Sequence, residues 1–319
     1  MNEFKLGTYI KKRREELKMS QEELCEGLCA VSSLSRIENN QQDPSRNLTK
    51  NLLERLGLPK DRFIALWDQK GISAGALVRE IRDDMIRYER TSENDRPRIR
   101  EIIWEKLTEL EKAVGQDDRN ARQFLLAQQA ILGGPDGSYG LTEKLAMQLE
   151  AIRMTCPKFD PEDFRQGHYS LDETRLINQI AWTYSQLGER KRATDMYYQL
   201  LKYVEKNHRE LAAYAAHFCL IAHNYAINLG MEKRYSDSIE IAEKGRCLCI
   251  SRGSYQLLPG FLAIQAACYY FLGEKEKSEA LYLHAYYIYN AYGDVVNREI
   301  MRQEMKEYLG IEMPECSVL

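Results

Sequence analysis

The stretch INQIAWTYSQLGERKRATDMYYQLL, residues 177–201, determines the fold of most of this chain. On both sides of Gly188, apolar residues recur at the three- and four-residue spacing of an amphipathic helix. Gly188 therefore predicts a tight turn between two antiparallel helices. Ala181 in the first helix and Ala193 in the second are small enough to let the two helices approach closely.

The same pattern returns twice towards the C terminus, at offsets of 45 and then 40 residues. Gly273 occupies the turn of the third unit, and Lys233 replaces it in the second. The equivalent positions are Ala181, Ala226 and Ala266; Tyr184, Leu229 and Tyr269; Ala193, Ser238 and Ser278; Tyr197, Ala242 and Tyr282; Leu200, Gly245 and Ala285. Stacked helix pairs of this kind form a solenoid. The alternative is a generic helical bundle.

These units resemble the tetratricopeptide repeat, whose pattern places small and aromatic residues at the same spacings. They exceed the usual length of about 34 residues, so we expect longer connecting loops. Residues 100–157 also predict helices, with only degenerate repeat character. Alternating β-branched runs typical of strands do not occur in the sequence, which indicates an all-α fold.

The N-terminal segment predicts a series of shorter helices. The first runs over about Gly7–Leu17, and Ser20 with Glu23 forms the pattern of a capping box before the second, QEELCEGL. A tight connection at 29–30 leads to the third helix, SSLSRIENN. The fourth follows Pro44 and Ser45 and ends at Gly57.

This segment resembles the Cro/repressor-type helix-turn-helix family, also called the XRE type. Two blocks carry the match, SQEEL at 20–24 and SRIEN at 35–39, together with Leu6-Gly7, Ile10, Arg13-Arg14, Leu17, Pro44-Ser45 and Leu56-Gly57. The stretch between the blocks is one residue shorter than the commonest form, and Cys29 stands where a glycine is usual. The register of residues 29–33 is therefore open by about one position.

The resemblance implies that the third helix enters the major groove of double-stranded DNA. We expect base-edge contacts from Val31, Ser32, Ser33 and Arg36, and phosphate contacts from Lys11, Arg14, Gln21, Asn39 and Asn40. For the basic run at 11–14 the alternative is a solvated helix face. Residues 1–60 carry a surplus of only two positive charges, so we expect a homodimer that reads two half-sites.

A helix-turn-helix head followed by such repeats resembles the RRNPP family of peptide-pheromone receptors. The resemblance implies that a short peptide binds the inner face of the solenoid. The expected contact residues are Arg175, Asn178, Trp182, Gln186, His223, Ile227 and Tyr270, with Ser185, Met231, Ala263, Ala267 and Phe271 on the same stripe. Asn178 would bond to the peptide backbone, whereas Trp182 and Tyr270 would form flat walls or, alternatively, pack between repeats. We interpret His223 as structural. The acidic body favours a neutral or basic ligand.

The sequence thus predicts an all-α chain with a helix-turn-helix domain at 1–70, a linker helix region at 71–98 and a tetratricopeptide-like α-solenoid at 99–319. We expect a cytoplasmic regulator without membrane segment, metal or cofactor, because there is no long apolar run, paired CxxC spacing or enzyme motif. Two alternatives remain open: a repressor whose repeats only oligomerise, and a protein-docking scaffold with a vestigial head.

Overall fold

The computed structural model describes residues 5–58, 69–91, 93–114, 118–209, 211 and 213–313. Within these ranges the chain forms helices and no strand, so the all-α prediction is confirmed. No helix of the described ranges is long and apolar enough to span a bilayer.

Fifteen α-helices are described in chain order. Those of the head are α1 (Leu6–Glu16), α2 (Gln21–Cys25), α3 (Val31–Glu38) and α4 (Arg46–Arg55). The long helix α5 (Gln69–Arg90) follows. Those of the body are α6 (Arg96–Ala113), α7 (Arg119–Leu132), α8 (Leu141–Thr155), α9 (Leu171–Gln186), α10 (Arg190–Asn207), α11 (Tyr214–Met231), α12 (Tyr235–Arg252), α13 (Leu258–Phe271), α14 (Lys275–Ala291) and α15 (Val295–Glu304). A π-helical turn, Met305–Leu309, extends α15.

The three repeats lie where the small residues predict them, in the pairs α9/α10, α11/α12 and α13/α14. The six small residues at the helix contacts are all completely buried: Ala181, Ala226, Ala266, Ala193, Ser238 and Ser278. Consecutive helices contact each other, and α11 also contacts both α9 and α13. Helices α9, α11 and α13 therefore form one layer, and α10, α12 and α14 form the other. The inner face is the surface of the α9, α11 and α13 layer that points away from the second layer.

The repeats are long because their helices are long. Helices α10, α11 and α12 have 18 residues each, whereas the turns within the pairs span only 187–189, 232–234 and 272–274. The expectation of longer loops is therefore wrong for these turns. At about 1.5 Å per residue, the longer helices give each unit a taller inner face.

Each turn within a pair has one residue in the left-handed backbone region. Gly188 and Gly273 adopt φ values of 88° and 84°, and Lys233 adopts 63° in the equivalent turn. This conformation is strained for a residue with a side chain, at a cost of about 1–2 kcal/mol, and glycine adopts it freely.

We expect the substitution Lys233→Gly to stabilise the body by about 0.5–1 kcal/mol, because the relief of backbone strain exceeds the extra entropy that glycine loses on folding. Thermal unfolding should show a small rise in Tm. The matched control is Gly273→Lys, which introduces the same strain where an added Cβ would meet no atom within 4 Å. A lower Tm for Lys233→Gly would contradict the prediction.

The head folds around its own core, formed by Ile10, Leu24, Leu34, Ile37, Leu52, Leu53 and Leu56 with their neighbours. Both hydrogen bonds of the capping box at Ser20 are present, as predicted. Helix α2 ends at Cys25, earlier than expected, and Gly27 makes the turn with a φ of 71°. Helix α3 begins at Val31, which fixes the register that the sequence left open.

Helix α5 lies in the predicted linker region and connects distant parts of the body. Its Glu80 and Asp84 both pair with Lys106 of α6, at 3.0 and 2.8 Å. Ile81 and Met85 pack into a core with residues of α6 and α7. Helix α5 also contacts α15, so it is in contact with both the first and the last helices of the body.

Candidate functional site

Helix α3 presents the N-terminal part of its surface to solvent. Val31 is 39% exposed, Ser32 and Arg36 are exposed, and Ser33 is half-buried. The opposite side of the helix holds Leu34 and Ile37 in the head core. The four residues expected to contact base edges are thus brought onto one accessible surface of a short, fixed helix. Lys11 and Asn39 are exposed as well.

Arg14 does not belong to this surface, contrary to the expectation that it contacts phosphate. It is buried, and its Nε and Nη2 donate to Glu38 Oε1 and Oε2 at 2.6 and 2.9 Å. Nη1 donates to the carbonyl of Met19 at 2.8 Å. Hydrogen bonding to Glu38 raises the pKa of Arg14. The charge therefore holds α1 against α3, and the predicted basic stripe of residues 11–14 is interrupted.

Two more of the expected phosphate contacts have structural roles in the head. Gln21 is half-buried, and its Nε2 donates to Glu38 Oε2 at 2.7 Å. Asn40 has a φ of 58°, and its Oδ1 accepts from the Gly7 amide at 3.1 Å. Its Nδ2 donates to Thr8 Oγ1 at 2.9 Å. Asn40 thereby fixes the start of α1 against the end of α3, so its amide is already occupied.

A buried ion pair joins the head to the body. Arg55, at the end of α4, places Nη2 at 3.1 Å from Glu173 Oε1 in the first turn of α9. The two side chains are only 2% and 1% exposed. Arg55 also donates to the carbonyls of Leu24, Glu26 and Thr155. Its guanidinium therefore connects two helices of the head to two of the body.

Burial and charge have opposite effects on the Glu173 carboxyl at this junction. Burial alone would raise the pKa of Glu173, but the Arg55 charge together with hydrogen bonds from Thr155, the Ser170 amide and Cys156 outweighs burial, and the pKa is lowered. Backbone packing at the junction is also close, because a Cβ on Gly27 would lie 1.7 Å from the carbonyl oxygen of Thr155. The head is held in one orientation on the body by these contacts. Sequence reasoning missed them, although an arginine among Leu52, Leu53 and Leu56 is a signal of a buried charge.

The inner face brings together most of the residues expected to contact a peptide. Trp182, His223 and Ile227 are half-buried on α9 and α11, and Gln186 is exposed at the end of α9. His223 packs edge-on against Phe261, with ring centroids 5.7 Å apart, and burial lowers its pKa. This packing agrees with its interpretation as a structural histidine.

Two polar residues of the predicted stripe lie between helices instead of on the open surface. Asn178 is 3% exposed, and its Oδ1 accepts from Asn224 Nδ2 at 3.4 Å. Ser185 is buried and hydrogen-bonded to Asn228. Both side chains connect α9 to α11, so the expectation that they face a ligand directly is wrong for this conformation.

Tyr270 is covered by the C-terminal end of the chain. Its ring stacks on the ring of Tyr308, with centroids 4.9 Å apart. The ring of Phe271 packs edge-on against Tyr308, with centroids 5.7 Å apart. Tyr235 stacks on Phe271 in turn. Tyr270 is thus part of an aromatic cluster at the end of the solenoid, which favours the packing role that the sequence left open.

The comparisons with known proteins agree with this architecture. Residues 10–63 match the family model for the helix-turn-helix, HTH_3. No relative was found among curated protein sequences.

Solved structures extend the likeness to the whole chain. PlcR from Bacillus thuringiensis, in complex with the peptide PapR7 and DNA, has a TM-score of 0.61 and 20% identity, covering 93% of this chain and 98% of that one. Apo PlcR from Bacillus thuringiensis has a TM-score of 0.55 and 17% identity, covering 94% of this chain and 99% of that one. Apo ComR from S. thermophilus has a TM-score of 0.50 and 15% identity, covering 95% of this chain and 98% of that one.

At such identities the likeness establishes the fold. Residues 10–63 thus form a helix-turn-helix domain, and over 93% of its length the chain has the same fold as PlcR.

Proposed function

We propose that this chain is a cytoplasmic, sequence-specific transcription regulator that dimerises through its body and binds a short peptide on its inner face. The observation that carries the proposal is the Arg55–Glu173 pair, which attaches the head to the first turn of the inner helix α9. A ligand that shifts α9 acts directly on the element that holds the head. This gives two distinct sites and a physical connection between them.

The proposed DNA surface consists of Val31, Ser32, Ser33 and Arg36 at the base edges, with Lys11 and Asn39 beside them. The Arg36 guanidinium forms no hydrogen bond or ion pair with the described residues, and Arg36 is exposed. An arginine so placed can donate in bidentate fashion to guanine O6 and N7. Serine and valine offer smaller contacts.

We expect Arg36→Ala to weaken binding to the specific site by about 1–3 kcal/mol, roughly five- to 150-fold, with loss of discrimination at one base pair. The matched comparison is Lys11→Ala, which should weaken all sequences alike and reduce the salt dependence by about one charge. Gel-shift titrations on a site found by footprinting the upstream DNA of the gene measure both. Equal losses on specific and unrelated DNA for Arg36→Ala would contradict base reading.

The proposed peptide surface consists of Trp182, Gln186, His223 and Ile227, which line α9 and α11, and of Arg175 at the start of α9. Half-buried aromatic and aliphatic side chains suit an extended apolar peptide. The test is isothermal titration with the product of any small open reading frame beside the gene, followed by DNA binding with and without it. Binding that leaves DNA affinity unchanged would favour a body that only oligomerises.

Dimerisation is tested independently of the ligand. Analytical ultracentrifugation at micromolar concentration should give twice the chain mass of 37.2 kDa without DNA, and that mass plus the mass of one duplex with a DNA that carries two half-sites. A monomer under both conditions would refute this part of the proposal. Absence of any protected DNA would favour the scaffold alternative.

A further inference from the structure

A cluster of cations meets one carboxylate where the head, α5 and the inner face come together. Asp172, in the first turn of α9, accepts a hydrogen bond from Lys50 of α4. Its Oδ1 lies 2.6 Å from Arg82 Nη2 of α5 and 3.3 Å from Arg175 Nη1. Three cations from three helices thus share this carboxylate.

The positive charge of the cluster is only partly neutralised. Glu54 is the second acid near Arg175, and its Oε2 accepts from the Leu171 amide at 3.2 Å. Within the described ranges, Lys50, Arg82 and Arg175 therefore face two carboxylates. Burial, reinforced by the Arg82 charge, lowers the pKa of Arg175 against the effect of Asp172. The three cations therefore outnumber the two carboxylates that face them.

The cluster remains accessible from solvent. The side chains of Lys50, Arg82 and Arg175 are 25%, 30% and 39% exposed. His217 of α11 lies beside them, because its Nδ1 is 3.5 Å from Oγ1 of Thr174, the residue before Arg175. Burial, reinforced by the Arg175 charge, lowers the pKa of His217. Its buried Nε2 has no hydrogen-bond partner in the part of the chain described. Because Thr174 Oγ1 donates to the Leu171 carbonyl, it accepts from His217 Nδ1, and Nε2 of the neutral ring is an acceptor. The hydrogen-bond donors at this end of the inner face are therefore the three cations.

We propose that Arg175, Arg82 and Lys50 form a carboxylate-binding subsite for the ligand of the inner face. The inference rests on the peptide-binding function proposed above and adds the chemistry of one end of the ligand. Guanidinium groups bind carboxylates through short, charge-assisted hydrogen bonds. The acidic average of the body favours a neutral or basic ligand, but the local charge at this end of the groove is positive, and it favours an acidic group.

A C-terminal carboxylate and an Asp or Glu side chain offer the same chemistry, so the experiment separates them. The probe is a pool of synthetic heptapeptides in three forms: free C terminus without Asp or Glu, amidated C terminus with Asp and Glu, and amidated C terminus without them. Peptides retained by the full chain are identified by mass spectrometry, and their Kd values are measured by titration. Retention of the first form assigns the C-terminal carboxylate, and retention of the second assigns an acidic side chain.

Variants identify the residues. Arg175→Gln should weaken the retained peptides about tenfold or more, and Arg175→Lys should restore part of the affinity. The matched control is Arg246→Gln on α12, which removes an arginine that likewise pairs with a carboxylate three residues earlier, Glu243, and is similarly exposed. Its affinity should equal that of the wild type. Equal retention of the third form, or an unchanged Kd for Arg175→Gln, would overturn the subsite.

Failure to retain peptides of any form would instead argue against the proposed peptide-binding function. The subsite is then tested without a peptide, by titrating the full chain with sodium acetate and following the NMR signal of the Arg175 guanidinium. A saturable shift with acetate that sodium chloride does not produce supports the subsite. An identical response to both salts overturns it.

Discussion

Replacement of Glu173 by glutamine is expected to lower the free energy of unfolding by about 3–5 kcal/mol, because it leaves the Arg55 guanidinium buried without its negative partner. Glutamine preserves the shape of the side chain and can still accept the hydrogen bond that the Ser170 amide donates to the carboxylate at 2.7 Å. The lower free energy of unfolding would therefore result from the missing charge and not from a cavity. Differential scanning calorimetry and limited proteolysis of the head–body junction measure it.

The matched control is Glu243→Gln, which removes a carboxylate that pairs with Arg246 at a position 43% exposed. Exposed pairs contribute less than about 1 kcal/mol, so this variant should unfold like the wild type. The double variant Arg55→Met with Glu173→Met removes both charges and should recover much of the loss. Equal stability of Glu173→Gln and the wild type would mean that the pair does not hold the head.

Acid should act on the same junction. Burial would raise the pKa values of Asp172 and Glu173, but both are lowered in the folded chain by the neighbouring cations and by hydrogen bonds to the carboxylates. Each carboxyl therefore contributes stability that is complete above its unfolded pKa of about 4 and is lost as the pH falls through the lower folded value. The stability of Glu173→Gln should accordingly fall less steeply below pH 4 than that of the wild type.

Glu38→Gln is expected to have a comparable effect inside the head, also about 3–5 kcal/mol. It converts a carboxylate that accepts from Arg14 and Gln21 into an amide with one acceptor, and Glu38 is only 3% exposed. The head has a small core, so a loss of this size should unfold it before the body. We expect early loss of amide protection in α1 and α3 and loss of DNA affinity, although Glu38 reads no base.

The control in the same helix system is Glu16→Gln. Glu16 pairs with Arg13 at 3.1 Å, but the two side chains are 47% and 33% exposed, so the change should cost less than about 1 kcal/mol. Hydrogen exchange measured on both variants separates folding from recognition. Lost DNA affinity with full amide protection in Glu38→Gln would show that the residue acts at the DNA surface.

The repeats could be predicted from the sequence because close helix approach requires small residues at fixed positions, and Ala181 and Ser238 report that requirement directly. The helix-turn-helix was equally legible from its capping box and its apolar spacing. The roles of individual side chains could be predicted less well from the sequence. The charge of Arg14 is visible in the sequence, but its partner lies 24 residues away, and only the fold brings the two together.

The same limit explains the inner face. Asn178 falls on the predicted stripe, yet its burial depends on how closely α11 approaches, which is set by packing over the whole layer. The Arg55–Glu173 pair spans 118 residues, and no local pattern reports such a separation. Gly27 was overlooked because the expected position of the turn glycine was Cys29, two residues later.

The fixed orientation of the head on the body restricts the spacing of the two half-sites in an operator. Because Arg55 and Gly27 anchor the head to the body, the separation and rotational phase of two recognition helices in a dimer would be set by protein and not by DNA. Inserting one base pair between half-sites moves them apart by about 3.4 Å and rotates them by roughly a tenth of a turn. A regulator whose heads rotate freely on flexible linkers would keep its affinity for such an operator. In this chain the head orientation is fixed, so an altered half-site spacing should lower the affinity.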